Sequence, residues 1–302
     1  MSALLLLFTC LLLGVFVARF ARPPVGTVPG INWWIINVAL PALVLELIPK
    51  LEADARLWFP VAAMGLTFFG AWLLFATLGK RLGWPRGRIG ALTLICGLGN
   101  TSFIGYPMMH ALHGEAGLAL AVVADQFGTF PLLASAGVLV ASLYAGKAPQ
   151  PLMIVRRVLS FPPFLALLAG IALGALGGWP AWLGIDPVLK AIGATMTPLA
   201  LFSVGMQLRF RLGRQQLPPL CLGLGWKLAL APLAVWLLGR ATQTEGLTLT
   251  ISVLEAATGP MISAAILADE YRLEPALTNS VISIGIGLSL LTVPLANLLL
   301  SR

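Results

Sequence analysis

Long apolar runs alternate with short stretches of charged, proline and glycine residues along the whole chain. A helix that crosses the hydrocarbon core of a bilayer needs about 20 consecutive, mainly apolar residues. Dividing the chain at its charged and Pro/Gly clusters predicts ten membrane-spanning helices. Their ranges are 3–20, 31–49, 57–79, 89–112, 117–144, 158–179, 188–208, 217–239, 246–268 and 276–300. We therefore expect an all-α integral membrane protein whose connections are short.

Composition agrees with a chain embedded in lipid. Hydrophobic residues make up 59% of the 302 residues and charged residues 10%, whereas roughly 25% of the residues in soluble domains are charged. Because the predicted helices use almost the whole length, we expect no soluble catalytic or ligand-binding domain. The net charge of +8 would suggest nucleic-acid binding in a soluble protein, but in a membrane protein Lys and Arg first report orientation. The expected surroundings are the lipid bilayer, with no nucleic-acid partner.

Lys and Arg are concentrated in every second connection between the predicted helices, and such an excess marks the cytoplasmic side. The richer set contains Arg19, Arg22, Lys80, Arg81, Arg86, Arg88, Lys147, Arg156, Arg157, Arg209, Arg211, Arg214 and Arg272. The opposite set, with the C-terminus, contains Lys50, Arg56, Lys190, Arg240 and Arg302. We therefore expect a multi-pass protein of the cell membrane with both termini on the extracytoplasmic side.

Corresponding features recur in the two halves of the chain. Residues 92–94 in the fourth helix and 247–249 in the ninth both read Leu-Thr-Leu, and Pro41 in the second helix matches Pro198 in the seventh. Since each half holds five helices, an odd number, the second half must enter the membrane from the opposite side. The pattern predicts two inverted five-helix repeats, over residues 1–145 and 146–302. Such repeats are typical of secondary transporters, which bind substrate near the midplane where the repeats meet.

Helix-breaking residues interrupt the fourth and ninth predicted helices near their middle. Residues 96–107 read CGLGNTSFIGYP, and residues 255–260 read EAATGP. Irregular backbone at this depth is tolerated only where it is buried in protein or lines a water-filled cavity. The free N–H and C=O groups of the half-helices would let an anion and a cation bind side by side. The candidate break and kink residues are Gly99, Pro107, Pro260, Pro41 and Pro198.

Polar side chains at mid-membrane depth indicate a binding site. A charge at a helix centre costs about 2.5–3.5 kcal/mol on insertion scales, so such residues face the bundle interior and mark function by default. Glu255 and Asp125 are the candidate ion-coupling residues, and Glu255 with Asn100 is the candidate pair for Na⁺. Alternatively, Lys227 is structural and neutralises Asp125 or Glu255 in a buried salt bridge. The candidate substrate-binding residues are Asn100, Thr101, Asn37, Thr258, Gly259, Pro260 and Lys227.

Motifs of catalysis are missing from the sequence. It contains no H-E-x-x-H, no G-x-S-x-G, no Walker loop and no dinucleotide fingerprint. We therefore expect no enzymatic activity, no metal site apart from that Na⁺, and no cofactor other than Na⁺ or H⁺ as coupling ion. A membrane receptor that binds ligand in the same cavity without translocating it is the main alternative, and an intramembrane enzyme is a weaker one.

Several segments resemble the auxin efflux carrier family of bacterial and plant permeases. The first-half segments are residues 99–107 (GNTSFIGYP), 114–118 (GEAGL) and 123–128 (VADQFG). The second-half segments include residues 227–232 (KLALAP) and 254–260 (LEAATGP). The resemblance extends over the whole chain, and the first-half motifs are the more specific. At the second crossover the chain departs from the family pattern, with Thr258 and Gly259 before Pro260.

This resemblance implies a fold and a class of cargo. The fold has ten helices in two inverted repeats with crossed, broken fourth and ninth helices, as in bile-acid symporters. Helices one, two, six and seven form a scaffold, and helices three to five and eight to ten form a transport domain that moves as an elevator. Small organic carboxylates are the implied cargo, and a homodimer through the scaffold is the implied assembly. The leading hypothesis is a secondary carrier driven by Na⁺, H⁺ or a substrate gradient, which holds its substrate near Asn100 and Thr101.

Overall fold

The computed structural model describes residues 2–51, 54–148, 151–180, 183–208 and 216–301, and this part of the chain is nearly all helical. It contains no β-strand within those ranges, only one isolated bridge. The helices are α1 (Leu5–Ala21), α2 (Thr27–Lys50), α3 (Trp58–Arg81), α4 (Arg86–Gly97), α5 (Thr101–Ala145), α6 (Pro151–Leu159), α7 (Pro162–Ala175), α8 (Ile185–Gln207), α9 (Leu217–Ala241), α10 (Gly246–Ala256), α11 (Ile262–Glu270) and α12 (Pro275–Leu300).

Six of the described helices are long and apolar enough to cross a membrane, namely α2, α3, α5, α8, α9 and α12. The helices α1, α7 and α10 are apolar but shorter. Large apolar side chains point outward from several helices, as lipid contact requires; Phe16, Leu73 and Leu291 are exposed examples. The architecture is therefore that of a helical, multi-pass membrane protein.

The predicted fourth and ninth spans are each divided into two helices. Residues 98–100 separate α4 from α5, and residues 257–261 separate α10 from α11. The predicted boundary between the fourth and fifth spans coincides with a kink inside α5 at Gly114, where φ is 64° and ψ is −153°. A positive φ at this position is readily adopted only by glycine.

Wide π-helical turns precede several prolines inside the helices. Proline lacks an N–H, and its ring clashes with the carbonyl four residues earlier. In each case that carbonyl lies inside the wide turn, so the extra residue relieves the clash. The turns and their prolines are Ile35–Ala39 with Pro41, Thr101–Gly105 with Pro107, Ala124–Thr129 with Pro131, and Trp226–Leu230 with Pro232.

Pro107, Pro41 and Pro198 are predicted as break or kink positions, and the structure has a distorted turn beside each of them without a lasting break in the helix. Helix α5 continues through Pro107, and α2 continues through Pro41. In helix α8 a single turn residue, Thr195, precedes Pro198, and the helix then continues to Gln207. The physical reason is that a widened or kinked turn absorbs the missing hydrogen bond without ending the helix.

Small residues let α1, α2, α7 and α8 pack closely. A Cβ atom on Gly14 would clash with the Phe202 carbonyl across the contact between α1 and α8. Between α7 and α2, a Cβ on Gly174 would lie 3.1 Å from the Pro49 carbonyl oxygen. Close approach through glycine is typical of helix contacts in membranes, where packing replaces the hydrophobic effect. The other helices surround the interruptions, with α3 packed on α4, α5, α9 and α10.

Candidate functional site

The two helix interruptions meet and pair through their backbones. The Asn100 N–H donates to the Gly259 carbonyl at 2.8 Å, and the Met261 N–H donates to the Leu98 carbonyl at 3.1 Å. The paired segments run antiparallel, so the broken helices pass each other in opposite directions. We call this contact the crossing, defined as residues 98–100 together with residues 257–261. Four half-helix ends converge there: α4 and α10 bring carbonyls, and α5 and α11 bring N–H groups.

Gly99 and Gly259 permit this close approach. A Cβ on Gly99 would lie 2.7 Å from Thr258 Oγ1 and 2.9 Å from Lys227 Nζ. A Cβ on Gly259 would lie 2.8 Å from Ile286 Cα in α12. Because real Cβ atoms do not make such short contacts, neither position accepts a larger residue without movement of its neighbours.

Asp125 lies beside the start of α5 with its carboxylate enclosed by donors. Its Oδ2 atom accepts hydrogen bonds from Ser102 Oγ, Tyr106 OH and Gln126 Nε2, each at 2.8 Å. Thr101 Oγ1 donates to Oδ1. Three of these donors lie in two wide turns, Thr101–Gly105 and Ala124–Thr129, and Tyr106 directly follows the first, so the carboxylate ties the two turns of α5 together. All of its bonds are to neutral groups.

Glu255 lies on the last turn of α10 and has the opposite environment. It is fully buried, and neither Oε1 nor Oε2 has a hydrogen-bond partner. A Cβ on Gly105 would lie 2.5 Å from Oε1 and 2.7 Å from Cδ of Glu255. The carboxylate therefore lies against the first turn of α5, where the partial positive charge of a helix N-terminus favours an anion. Asn100 Nδ2 is also buried without a partner.

Lys227 enters the crossing from the wide turn Trp226–Leu230 of α9. Its side chain is fully buried, and Nζ donates to the Ala256 carbonyl at 2.8 Å. This carbonyl belongs to the C-terminal end of α10, the end at which a cation is favoured. Among the described residues, no ion pair within 4.0 Å joins Lys227 to Asp125 or Glu255. The salt bridge considered as the structural alternative is thus not formed directly.

Of the other predicted site residues, some lie at the crossing and one lies apart from it. Thr258 is buried in the crossing, where its Oγ1 donates to the Glu255 carbonyl at 2.7 Å. Pro260 packs on α12, since a Cβ on Gly285 would lie 2.5 Å from its Cδ. Asn37 lies apart: its Nδ2 donates to the Trp33 carbonyl of its own helix at 2.8 Å. The structure therefore does not connect Asn37 to the crossing by a hydrogen bond.

Three of the donors to Asp125 and the glycine that faces Glu255 are not among the residues predicted from the sequence. The donors are Ser102, Tyr106 and Gln126, and the glycine is Gly105. A signal for them existed, because all four lie in the segments GNTSFIGYP and VADQFG. The apolar neighbours in those segments gave no way to tell which polar residues face inward.

A cavity of about 860 Å³ extends to Ile262, the residue next to the crossing. It lies between α8 on one side and α11 and α12 on the other, and extends from Gln207 to Ile262, the first residue of α11. Ile286, which also lines the cavity, contacts Gly259 at the crossing. No side chain caps the N-terminus of α11, and its first residue, Ile262, lines the cavity.

Charged residues surround a second cavity, of about 510 Å³, at the opposite end of α8. Lys190 Nζ of α8 lies 2.5 Å from Glu115 Oε1, which follows the kink in α5. Lys50 of α2 pairs with Glu46 at 3.1 Å and with Asp186 at 3.4 Å. We call the Lys190–Glu115 pair the end pair. It joins α5 and α8 at the end of α8 that is remote from the larger cavity.

The family model described as "Membrane transport protein" matches residues 1–296, nearly the whole chain. The match includes every helix that contributes to the crossing. The chain belongs to the auxin efflux carrier family of membrane transport proteins. The resemblance carried by the GNTSFIGYP and VADQFG segments is thereby confirmed. In this member of the auxin efflux carrier family, those segments form the start of α5 and the Asp125 environment.

Relatives in the auxin efflux carrier family are named as transporters. An uncharacterized transporter of Methanothermobacter thermautotrophicus is 29% identical over 273 residues, covering 89% of this chain and 88% of its own. The uncharacterized transporter YfdV of Escherichia coli is 24% identical over 319 residues, covering 97% and 95%. A putative malonate transporter of Rhizobium meliloti is 28% identical over 220 residues, covering 68% of this chain and 65% of its own.

Proposed function

We propose that this protein is a secondary active transporter that moves a small organic carboxylate across the membrane by alternating access. The observation that carries the proposal is the crossing, where two interrupted helices pair in antiparallel directions beside buried Lys227 and Glu255. Secondary transporters build substrate and ion sites from discontinuous helices of this kind near the midplane. A soluble or purely structural helix bundle would have no need to bury two unbonded carboxylate oxygens there.

The proposed architecture is a pair of inverted five-helix repeats with ten spans. Two features support it. The half-helices α4 and α10 contain 12 and 11 residues and end at the crossing, and each carries one of the two Leu-Thr-Leu segments. In this arrangement α1, α2, α7 and α8 form the scaffold, and α3 to α5 with α9 to α12 form the transport domain. Both termini are then extracytoplasmic, and the homodimer implied by the resemblance stays a prediction.

The proposed substrate enters the crossing through the larger cavity. A carboxylate at the crossing would meet the Asn100 Nδ2 donor, the Lys227 ammonium and the uncapped N-terminus of α11, all of which favour an anion. Malonate is the first compound to test, since one relative bears the name putative malonate transporter. The cavity ends at the face that carries the Lys- and Arg-rich connections, which we assign to the cytoplasm. The structure would therefore represent a cytoplasm-facing state.

The proposed coupling residue is Glu255. A buried carboxylate with two free oxygens can take up a proton or a cation during the transport cycle, whereas the oxygens of Asp125 are already engaged. The energy for transport comes from one of three gradients: that of H⁺, that of Na⁺, or that of a second substrate molecule that is exchanged. Asp125 has a positioning role, because it fixes the two wide turns of α5.

Transport is tested by counterflow in proteoliposomes. Vesicles loaded with unlabelled malonate, malate or indole acetate are diluted into the labelled compound, and we expect transient accumulation of one of them. Glu255→Gln should lower proton- or Na⁺-driven uptake by about tenfold or more, which corresponds to about 1.4 kcal/mol. Unchanged gradient-driven uptake in this variant would show that Glu255 does not couple transport. Binding without counterflow would favour the receptor alternative.

A further inference from the structure

The position of Lys227 bears on the identity of the coupling ion, an inference that rests on the proposed transport function. Its Nζ atom contacts both broken helices: it donates to the Ala256 carbonyl at 2.8 Å, and a Cβ on Gly99 would lie 2.9 Å from it. The ammonium group is fully buried. An amine that can carry a positive charge is therefore fixed at the crossing by a side chain.

Four backbone carbonyls at or beside the crossing already have donors. In transporters with broken helices, Na⁺ is coordinated by carbonyls of the unwound segments and of the half-helix C-terminal ends. In this protein four carbonyls of this kind accept hydrogen bonds from Lys227 Nζ, Thr258 Oγ1 and the N–H groups that pair the two segments. The engaged carbonyls are those of Ala256, Glu255, Leu98 and Gly259.

Side-chain ligands for a cation are also few. Glu255 has free oxygens, but the Asp125 oxygens accept four hydrogen bonds from neutral donors. Within the described ranges, no group of three or more His, Cys, Asp or Glu residues is arranged to hold a metal ion. A Na⁺ added beside Glu255 would also be repelled by the Lys227 ammonium, and burial leaves such repulsion poorly screened.

We propose that Lys227 is the resident cation of the crossing, and that the carrier moves its carboxylate substrate without binding Na⁺. The ammonium group neutralises negative charge at the crossing, which is the electrostatic role of a bound Na⁺ in carriers that require one. It also stays with the protein through the cycle, so the Na⁺ gradient does no work on the substrate.

Counterflow of labelled malonate provides the first test. Wild-type proteoliposomes are compared in NaCl and in choline chloride at equal ionic strength, and we expect rates that agree within about twofold. A rate that falls about tenfold or more without Na⁺ would overturn the proposal while leaving the transport function intact. Absence of malonate counterflow in both salts would count against the proposed function, and the second test then decides the inference.

Thermal unfolding of the purified full-length protein is the second test and needs no substrate. A ligand that binds the folded state raises the midpoint Tm by mass action. We expect Tm in NaCl to match Tm in choline chloride at equal ionic strength. A rise of about 2 °C or more that is specific to Na⁺ would demonstrate a Na⁺ site and overturn the proposal.

A variant connects the inference to Lys227 itself. Lys227→Gln removes the charge but keeps a donor for the Ala256 carbonyl, and we expect malonate counterflow in choline chloride to fall about tenfold or more. Lys80→Gln, at an exposed site at the end of α3, is the matched control. Wild-type rates for Lys227→Gln would contradict the proposal. If Lys227→Gln does not fold, the two wild-type measurements remain decisive.

Discussion

Asp125 and Glu255 are both buried carboxylates near the start of α5, but their oxygens have opposite surroundings. Four neutral donors surround the first, and no donor reaches the second. A buried polar group without a partner costs free energy, so a site that keeps one is expected to complete its bonding with a ligand. Asp125 is thus a positioning carboxylate, whereas Glu255 is free to bind a ligand.

Thermal stability should report this difference. Asp125→Asn replaces an acceptor oxygen by an N–H₂ group among donors, so we expect the free energy of unfolding to fall by about 2 kcal/mol or more. Glu255→Gln loses no hydrogen bond within the protein, so its free energy of unfolding should fall by less than that of Asp125→Asn. Thermal unfolding in detergent measures both. Equal destabilisation by the two substitutions would contradict the distinction.

Gly105 offers a second test at the residue scale. Its substitution by alanine would bring a Cβ to within 2.5 Å of Glu255 Oε1, so the carboxylate must move away from the first turn of α5. We expect Gly105→Ala to lower counterflow about tenfold or more, measured with the substrate found active. Gly65→Ala is the control, because no atom lies within 4 Å of the added Cβ. Equal rates for both variants would show that the carboxylate position is unimportant.

At the scale of elements, the prolines and the polar residues are physically linked. Each wide turn that precedes a proline also carries a polar side chain of interest: Asn37, Thr101, Asp125 or Lys227. An extra residue in a turn rotates the side chains that follow relative to a regular helix. Hydropathy predicted the helices, and the hydrogen bonds that proline cannot form predicted a distortion of each helix at its prolines. The direction of each polar side chain depended on how the turn widened, and the pattern of apolar and polar residues carries no information about that widening.

The end pair is an element-scale contact between the proposed scaffold and transport domain. Lys190 and Glu115 are exposed, so solvent screens their interaction and the pair is weak. If α5 moves relative to α8, breaking this pair should shift the conformational equilibrium by up to about fivefold. We expect Lys190→Glu to favour the state open at this end, and Lys190→Glu with Glu115→Lys to restore the balance.

Cysteine labelling measures that shift. A single cysteine near the smaller cavity, such as Ala119→Cys, is labelled by a membrane-impermeant reagent in a background without the native cysteines. We expect labelling to be faster in Lys190→Glu than in the wild type, and to return to the wild-type rate in Lys190→Glu with Glu115→Lys. Labelling rates that are equal in all three proteins would indicate that the end pair does not restrain the movement.

At the scale of the whole molecule, the larger cavity lies at the end of α8 opposite to the smaller cavity. Asn279 of α12 lines the larger cavity and is exposed. In a cysteine-free background, Asn279→Cys should react with an impermeant maleimide from the cytoplasmic side, and bound substrate should slow the reaction. Gln243→Cys, beyond the other end of α9, should react from the outside instead and serves as the sidedness control. Reaction of Asn279→Cys from the outside would contradict the proposed orientation.

The sequence by itself determined that the protein is a helical membrane transporter of this family, and where its helices are interrupted. These properties follow from local causes: hydrocarbon requires apolar runs with internal hydrogen bonds, and Gly and Pro clusters cannot satisfy them. Only the tertiary structure decided which polar groups meet. Tyr106 reaches Asp125, Gly105 faces Glu255 and Lys227 reaches Ala256 because distant segments cross and turns widen. Such contacts depend on the packing of whole helices, which no single segment of the chain encodes.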